Sequence, residues 1–124
     1  GVSRIQTLSK GFDENTLLAT TAALEQESQH PIAQGIVAAA KTAGLSLPSV
    51  SNFTSITGKG ITGQVDGKNI SVVSPGYLKE KNIELPVDAT GSAAETVVFV
   101  LEDNKLVGFL ALSDDPMPLK QYGS

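Results

Sequence analysis

The stretch "GITGQVDGKNISVVS", residues 60–74, decides the fold. Its β-branched residues lie on both sides of Asp66-Gly67, a pair suited to the tight turn of a hairpin. Strands joined this closely run antiparallel. The preceding segment "SNFTSIT", residues 51–57, has the same β-branched texture and adds to the strands. Downstream, "TVVFVLEDNKLVGFLALS", residues 96–113, reads as a second hairpin turning through Asp103 and Asn104.

Upstream, the period changes from strand-like to helical. "DENTLLATTAALEQE", residues 13–27, places Leu17, Leu18, Ala22 and Leu24 on an apolar side, with Asp13 available as a cap. "SQHP" interrupts it, and a second helix is expected from Pro31 to about Ala43. Proline suits a first helical position, and Gly44 suits the stop. "SPGYLKEKN", residues 74–82, reads as a short helix capped by Ser74, while "ELPVDATGSAAE", residues 84–95, is loop-like. The order is helix, helix, strands, short helix, strands. It predicts an α+β fold, an antiparallel sheet with the helices on one side.

The 124 residues suit one domain, and 40% hydrophobic with 18% charged residues fits a folded globular chain. A formal net charge of -4 argues against general nucleic-acid binding, so no nucleic-acid partner is expected. No apolar run approaches the roughly 18 residues of a membrane span, and no leader pattern is visible. The absence of Cys removes disulfides and thiolate metal sites, and a single His removes a His-rich one. The opening "GVSRIQ" and closing "DDPMPLKQYGS" suggest a piece of something larger. The domain is expected over residues 1–114, with 115–124 an appended or disordered tail.

Three features compete for chemistry. "GKGITG", residues 58–63, matches G-x-G-x-x-G, but it runs into a strand and not into a helix, so the dinucleotide fingerprint fails on context. A plain turn or bulge, or a loop whose missing side chains admit a ligand, both remain open. His30 precedes Pro31, which pushes it to extended geometry at a helix junction, where it is either a surface or capping residue or faces a ligand. No Ser-His-Asp set can be argued from one His, and the paired carboxylates Asp114 and Asp115 fall at the tail.

Taken together, "LEQESQHPIAQGI", "GKGITGQVDGKNISVVS" and "TVVFVLEDNKLVGFLALSD" resemble the nucleotide-binding domain of heavy-metal-transporting P-type ATPases, closest to the copper-exporting group. The resemblance covers residues 1 to 114. It implies an antiparallel sheet of about six strands with flanking helices. In that family a Ser-Glu-His-Pro motif, a Glu five residues before its His, a Gly-x-Gly loop and a downstream Gly-Asn line the ATP site. Carried onto this chain, these are His30, Glu25, Gly58 and Gly60. Gln29 stands where the motif has Glu, and Val73-Ser74 stands where it has Gly-Asn, which leaves Ser74 a hydroxyl in place of an amide.

On this reading Glu25, as a carboxylate, accepts from the adenine amine, the two glycines let the chain pass close to ribose and phosphates, and Lys59 adds charge nearby. The resemblance implies ATP as ligand, with magnesium in the complete enzyme. It also implies a phosphorylation domain as partner and a monomeric domain on the cytoplasmic side of a membrane-embedded parent. The family's Asp-Lys-Thr-Gly-Thr phosphorylation motif is absent from this chain, so the fragment is not expected to complete ATP hydrolysis. The alternative of another class is a nucleotide-free protein-interaction module that uses its sheet face.

Overall fold

The computed structural model describes residues 1–89 and 95–113. Asp114, Asp115 and the expected tail over 115–124 lie outside the described residues, as does part of the 84–95 loop. The elements are β1 (Val2–Thr7), α1 (Glu14–Glu25), α2 (Pro31–Thr42), β2 (Val50–Ile56), β3 (Gly60–Val65), β4 (Lys68–Val73), α3 (Pro75–Glu80), a 3-10 turn (Val87–Ala89), β5 (Glu95–Glu102) and β6 (Lys105–Ser113). The strands form one six-stranded antiparallel sheet in the order β1-β6-β5-β4-β3-β2.

Both expected hairpins form, and their turns explain why. Asp66 and Gly67 have φ of 52° and 77°, and Asp103 and Asn104 have φ of 50° and 68°. Positive φ at both central residues gives the turn a twist that matches the flanking strands, and Asp, Asn and Gly tolerate that region best. Asp13 caps α1, its Oδ1 accepting from the Thr16 N–H at 2.7 Å, and α2 begins with Pro31 at its first position.

The helix-first order did not include β1. "VSRIQT" pairs antiparallel with β6 along the sheet edge, and its burial alternates only weakly. An edge strand is held mainly by backbone hydrogen bonds, which leave little mark on side-chain pattern. The expectation of helices on one side also needs correction. α1 and α2 cover one face, with Leu17, Leu18, Leu24 and Ile36 packed on Ile61, Val65, Ile70, Val98, Val100 and Leu110. On the opposite face, α3 brings Leu78 and the 3-10 turn brings Ala89 against Val73, Phe99, Leu101 and Phe109. The alternation of Phe99 and Leu101 with Val98 and Val100 along β5 supplies both cores at once.

Two glycines set how closely α1 seats on the sheet. A Cβ at Gly108 would lie 2.5 Å from Leu17 Cδ2 and 2.6 Å from the Gln6 carbonyl oxygen. One at Gly63 would lie 2.9 Å from Leu24 Cδ2. Leu17 and Leu24 are seven residues apart and so share one face of the helix. Overpacking of this kind should cost about 1–3 kcal/mol, so Gly108→Ala is expected to lower the urea midpoint. Gly35 inside α2 is the contrast, because its nearest neighbour, Leu112 Cδ2, would be at an ordinary 3.5 Å. Gly35→Ala should raise stability by roughly 0.5–1 kcal/mol through helix propensity.

A candidate nucleotide cleft

The linker between α1 and α2 is organised by its own side chains. Ser28 N–H donates to the Glu25 carbonyl at 2.9 Å, closing the helix end, and Ser28 Oγ accepts from the His30 N–H at 3.1 Å. His30 is extended, at φ -70° and ψ 140°, as a residue before proline should be. Its Nδ1 accepts from the Ile32 N–H at 3.2 Å, so the imidazole is the N-cap of α2. An Nδ1 that accepts carries no proton, which places the ring proton on Nε2. Nε2–H is the ring donor left without a partner among the described residues. The sequence reading left capping and recognition as alternatives. The cap is present, and the ring also lines the cleft described next.

The cleft encloses about 440 Å³ at the end of the sheet where β3 and β5 begin and β2 and β4 end. That volume is within the range of small-molecule sites. Its walls are largely apolar, from Ile32, Ile61, Val72, Val73, Val97 and Val98. Every site residue marked in the sequence lines it: Glu25, His30, Gly58, Gly60 and Ser74. The chain brings them together from the end of α1, the start of α2, the turn after β2 and the end of β4. The walls from β4 and β5 were not marked. Strand valines carry no local sign that distinguishes a core position from a cleft position.

Glu25 is the unusual member. It is only 4% exposed and lines the cleft, yet it has no hydrogen-bond or ion-pair partner among the described residues. Burial disfavours the charged form and pushes its carboxyl up to about 7. A buried carboxyl without a protein partner is a candidate ligand contact.

The glycines divide the work differently from the expectation. Gly58, at φ 72°, has open space where a Cβ would be, so its turn conformation alone demands glycine. A Cβ at Gly60 would sit 2.2 Å from the Val72 carbonyl oxygen and 2.8 Å from Val73 Cα. Its missing side chain therefore serves the pairing of β3 with β4, and Gly60 lines the cleft with backbone only. Ser74 stands at the N-cap of α3, but its hydroxyl makes no capping hydrogen bond, contrary to the simplest expectation. Its N–H donates to the Lys59 carbonyl at 2.8 Å. Lys59 donates from Nζ to Glu80 Oε1, which holds the Glu80 carboxyl below its usual range by that hydrogen bond and charge. Its charge beside the cleft is thus partly offset by an exposed ion pair.

No family model matches the chain. It is 41% identical over 112 residues to copper-exporting P-type ATPase B of Archaeoglobus fulgidus, covering 87% of this chain and 16% of that protein. It is 40% identical over 109 residues to a copper-exporting P-type ATPase of Legionella pneumophila, covering 83% of this chain and 15% of that protein. The chain therefore spans about one sixth of the length of these relatives. Among solved structures, the N-domain of a copper-transporting P-type ATPase matches at TM-score 0.74 and 27% identity, over 90% of this chain and 98% of that one. A zinc-transporting ATPase of the same kind matches at TM-score 0.75 and 33% identity, over 92% of this chain and 19% of that one. With this identity over most of its length and an N-domain fold, the chain belongs with the N-domains of heavy-metal P-type ATPases.

Proposed function

We propose that this chain is the ATP-binding domain of a heavy-metal-transporting, copper-type P-type ATPase. It holds the nucleotide in the cleft and presents the terminal phosphate to a phosphorylation domain elsewhere in the parent protein. The observation that carries the reading is the meeting of a buried Glu25, without a partner among the described residues, with His30 and the backbone of Gly58 and Gly60 in one apolar cleft. The cleft fits a purine nucleoside: a flat, largely apolar base suits walls of Ile and Val, and polar contacts are few and confined to the edges. Glu25 meets the polar edge of the base. Nε2–H of His30 donates to a ligand acceptor while Nδ1 keeps the helix cap. The turn at Gly58 leaves the phosphate side open.

The chemistry of transfer belongs to the parent. ATP supplies the phosphoryl group, the accepting aspartate lies outside this chain, and the metal crosses through membrane helices of the parent. Among the described residues no helix is long and apolar enough to cross a membrane. The domain is placed on the cytoplasmic side, where ATP is available, and acts as a monomer over residues 1–114. Magnesium comes with the phosphates of the nucleotide. Among the described residues no three carboxylate or imidazole groups stand together to hold it.

ATP added to the isotope-labelled protein should shift the amide resonances of His30, Gly58, Gly60 and Ser74 selectively. A nucleotide-free interaction module would show no such shifts, and that result would remove the proposal. His30→Ala should weaken ATP binding severalfold and also cost about 1 kcal/mol by removing the cap of α2. His30→Asn separates the two roles: the amide restores the cap and the thermal stability, while ATP affinity stays low. The glycines should also part. Gly58→Ala is expected to cost about 1–2 kcal/mol from its positive φ and leave a folded protein whose ATP affinity can be measured. Gly60→Ala, which drives a methyl into β4, should prevent stable folding at the temperature where the parent is intact.

A further inference from the structure

Glu25 is the last residue of α1, so the negative end of the helix dipole adds to burial in opposing a charge there. The groups that face it offer no compensation. From the linker before α2, His30 has its Nδ1 lone pair engaged by the Ile32 N–H in the cap. From the turn before β3, Lys59 is engaged by Glu80 of α3. The strands β4 and β5 contribute only Val72, Val73, Thr96, Val97 and Val98 to the cleft, with Ser74 and Pro75 beyond them. Glu95, at the start of β5, is paired with Arg4 and with the Ser3 hydroxyl. Glu27, on the same linker, is exposed. The carboxyl is buried, and among the described residues no cation is paired with it and no donor is bonded to it.

Resting on the nucleotide-binding reading above, we propose that Glu25 recognises adenine as a neutral carboxylic acid. Its O–H donates to ring N1, and its other oxygen accepts from the N6 amine. A protonated carboxyl presents a donor and an acceptor side by side, which matches that edge of adenine. An ionised carboxylate presents acceptors only, which match the N1–H and N2 amine of guanine instead. The protonation state of one side chain thus sets which purine the cleft prefers. Desolvation, which raises the Glu25 carboxyl to about 7, keeps much of it protonated at neutral pH.

The linkage has a definite sign. A carboxyl raised from 4.5 to about 7 stabilises the fold relative to its charged form fully below about pH 4.5, and this contribution is lost as pH rises through about 7. A ligand that needs the proton should likewise bind less tightly as pH rises, by roughly tenfold per unit above about pH 7.

Calorimetric ATP titrations of the parent and Glu25→Gln at about pH 6 and about pH 8.5 test this. Gln keeps the donor–acceptor pair but cannot ionise. The parent should lose tenfold or more in affinity between the two conditions relative to Glu25→Gln, which should bind ATP more tightly than the parent at the higher pH. Titration of the ATP phosphates is common to both proteins and cancels in their ratio. GTP should gain on ATP for the parent alone as pH rises. Equal pH dependence in the two proteins, or weaker binding by Glu25→Gln at high pH, overturns the neutral-acid role while leaving the nucleotide reading standing. Absence of ATP binding to the parent at either pH overturns both. Should Glu25→Gln not fold, the carboxyl carbon resonance of Glu25 in the parent decides. It should titrate near neutrality and move to higher pH when ATP is present, and titration in the ordinary carboxylate range overturns the proposal.

Discussion

The close seating of α1 on the sheet is the constraint from which the cleft follows. Leu17 and Leu24 reach the sheet only because Gly108 and Gly63 carry no side chain beneath them. Leu24 is fully buried at that contact, and the next residue is Glu25. A helix held this low draws the carboxyl that follows it into the apolar end of the sheet, where water is largely excluded. The unusual electrostatics of Glu25 therefore comes from hydrophobic packing one residue earlier, and no charged neighbour is needed to produce it.

Stability and recognition are in tension at this point. An unpaired carboxyl near the C-terminal end of a helix works against the fold whenever it is ionised. Its place in a cleft, without a partner among the described residues, fits a group kept for something that enters from outside. His30 shows a different economy, since one ring nitrogen serves the helix while the other has no partner among the described residues. Its position before Pro31 is what allows both. Proline holds the preceding residue extended, as an N-cap requires, and leaves the Ile32 N–H as the donor that the ring satisfies.

The opposite side of the cleft is built by the backbone. Gly60 pairs with both Ile56 and Val73 in the sheet, and the Ser74 N–H continues the β3–β4 pairing to the Lys59 carbonyl. The loop that faces α2 is thus an extension of the sheet. Lys59 is tethered to Glu80, so the cleft carries less positive charge than the sequence suggests.

Much of this was legible in the chain alone. The Asp66-Gly67 and Asp103-Asn104 turns, the cap at Asp13, the proline start of α2 at Pro31 and the apolar helix faces depend on neighbours within a few residues, so local chemistry determined the hairpins, the helices and the antiparallel sheet. The marks at Glu25, His30, Gly58, Gly60 and Ser74 came from motif resemblance, and all five line one cleft. Tertiary structure decided what those marks mean. Whether a Cβ at Gly60 would meet a ligand or a strand, whether the Ser74 hydroxyl caps, and which partner Lys59 finds all depend on contacts between segments distant in sequence. The edge strand β1 and the second core under α3 depended on it too, because an edge strand is held by backbone hydrogen bonds and a two-faced sheet shows its second face only when something covers it. The proton affinity of Glu25 was beyond the sequence for the same reason: it is set by how much water the folded chain removes from around one carboxyl.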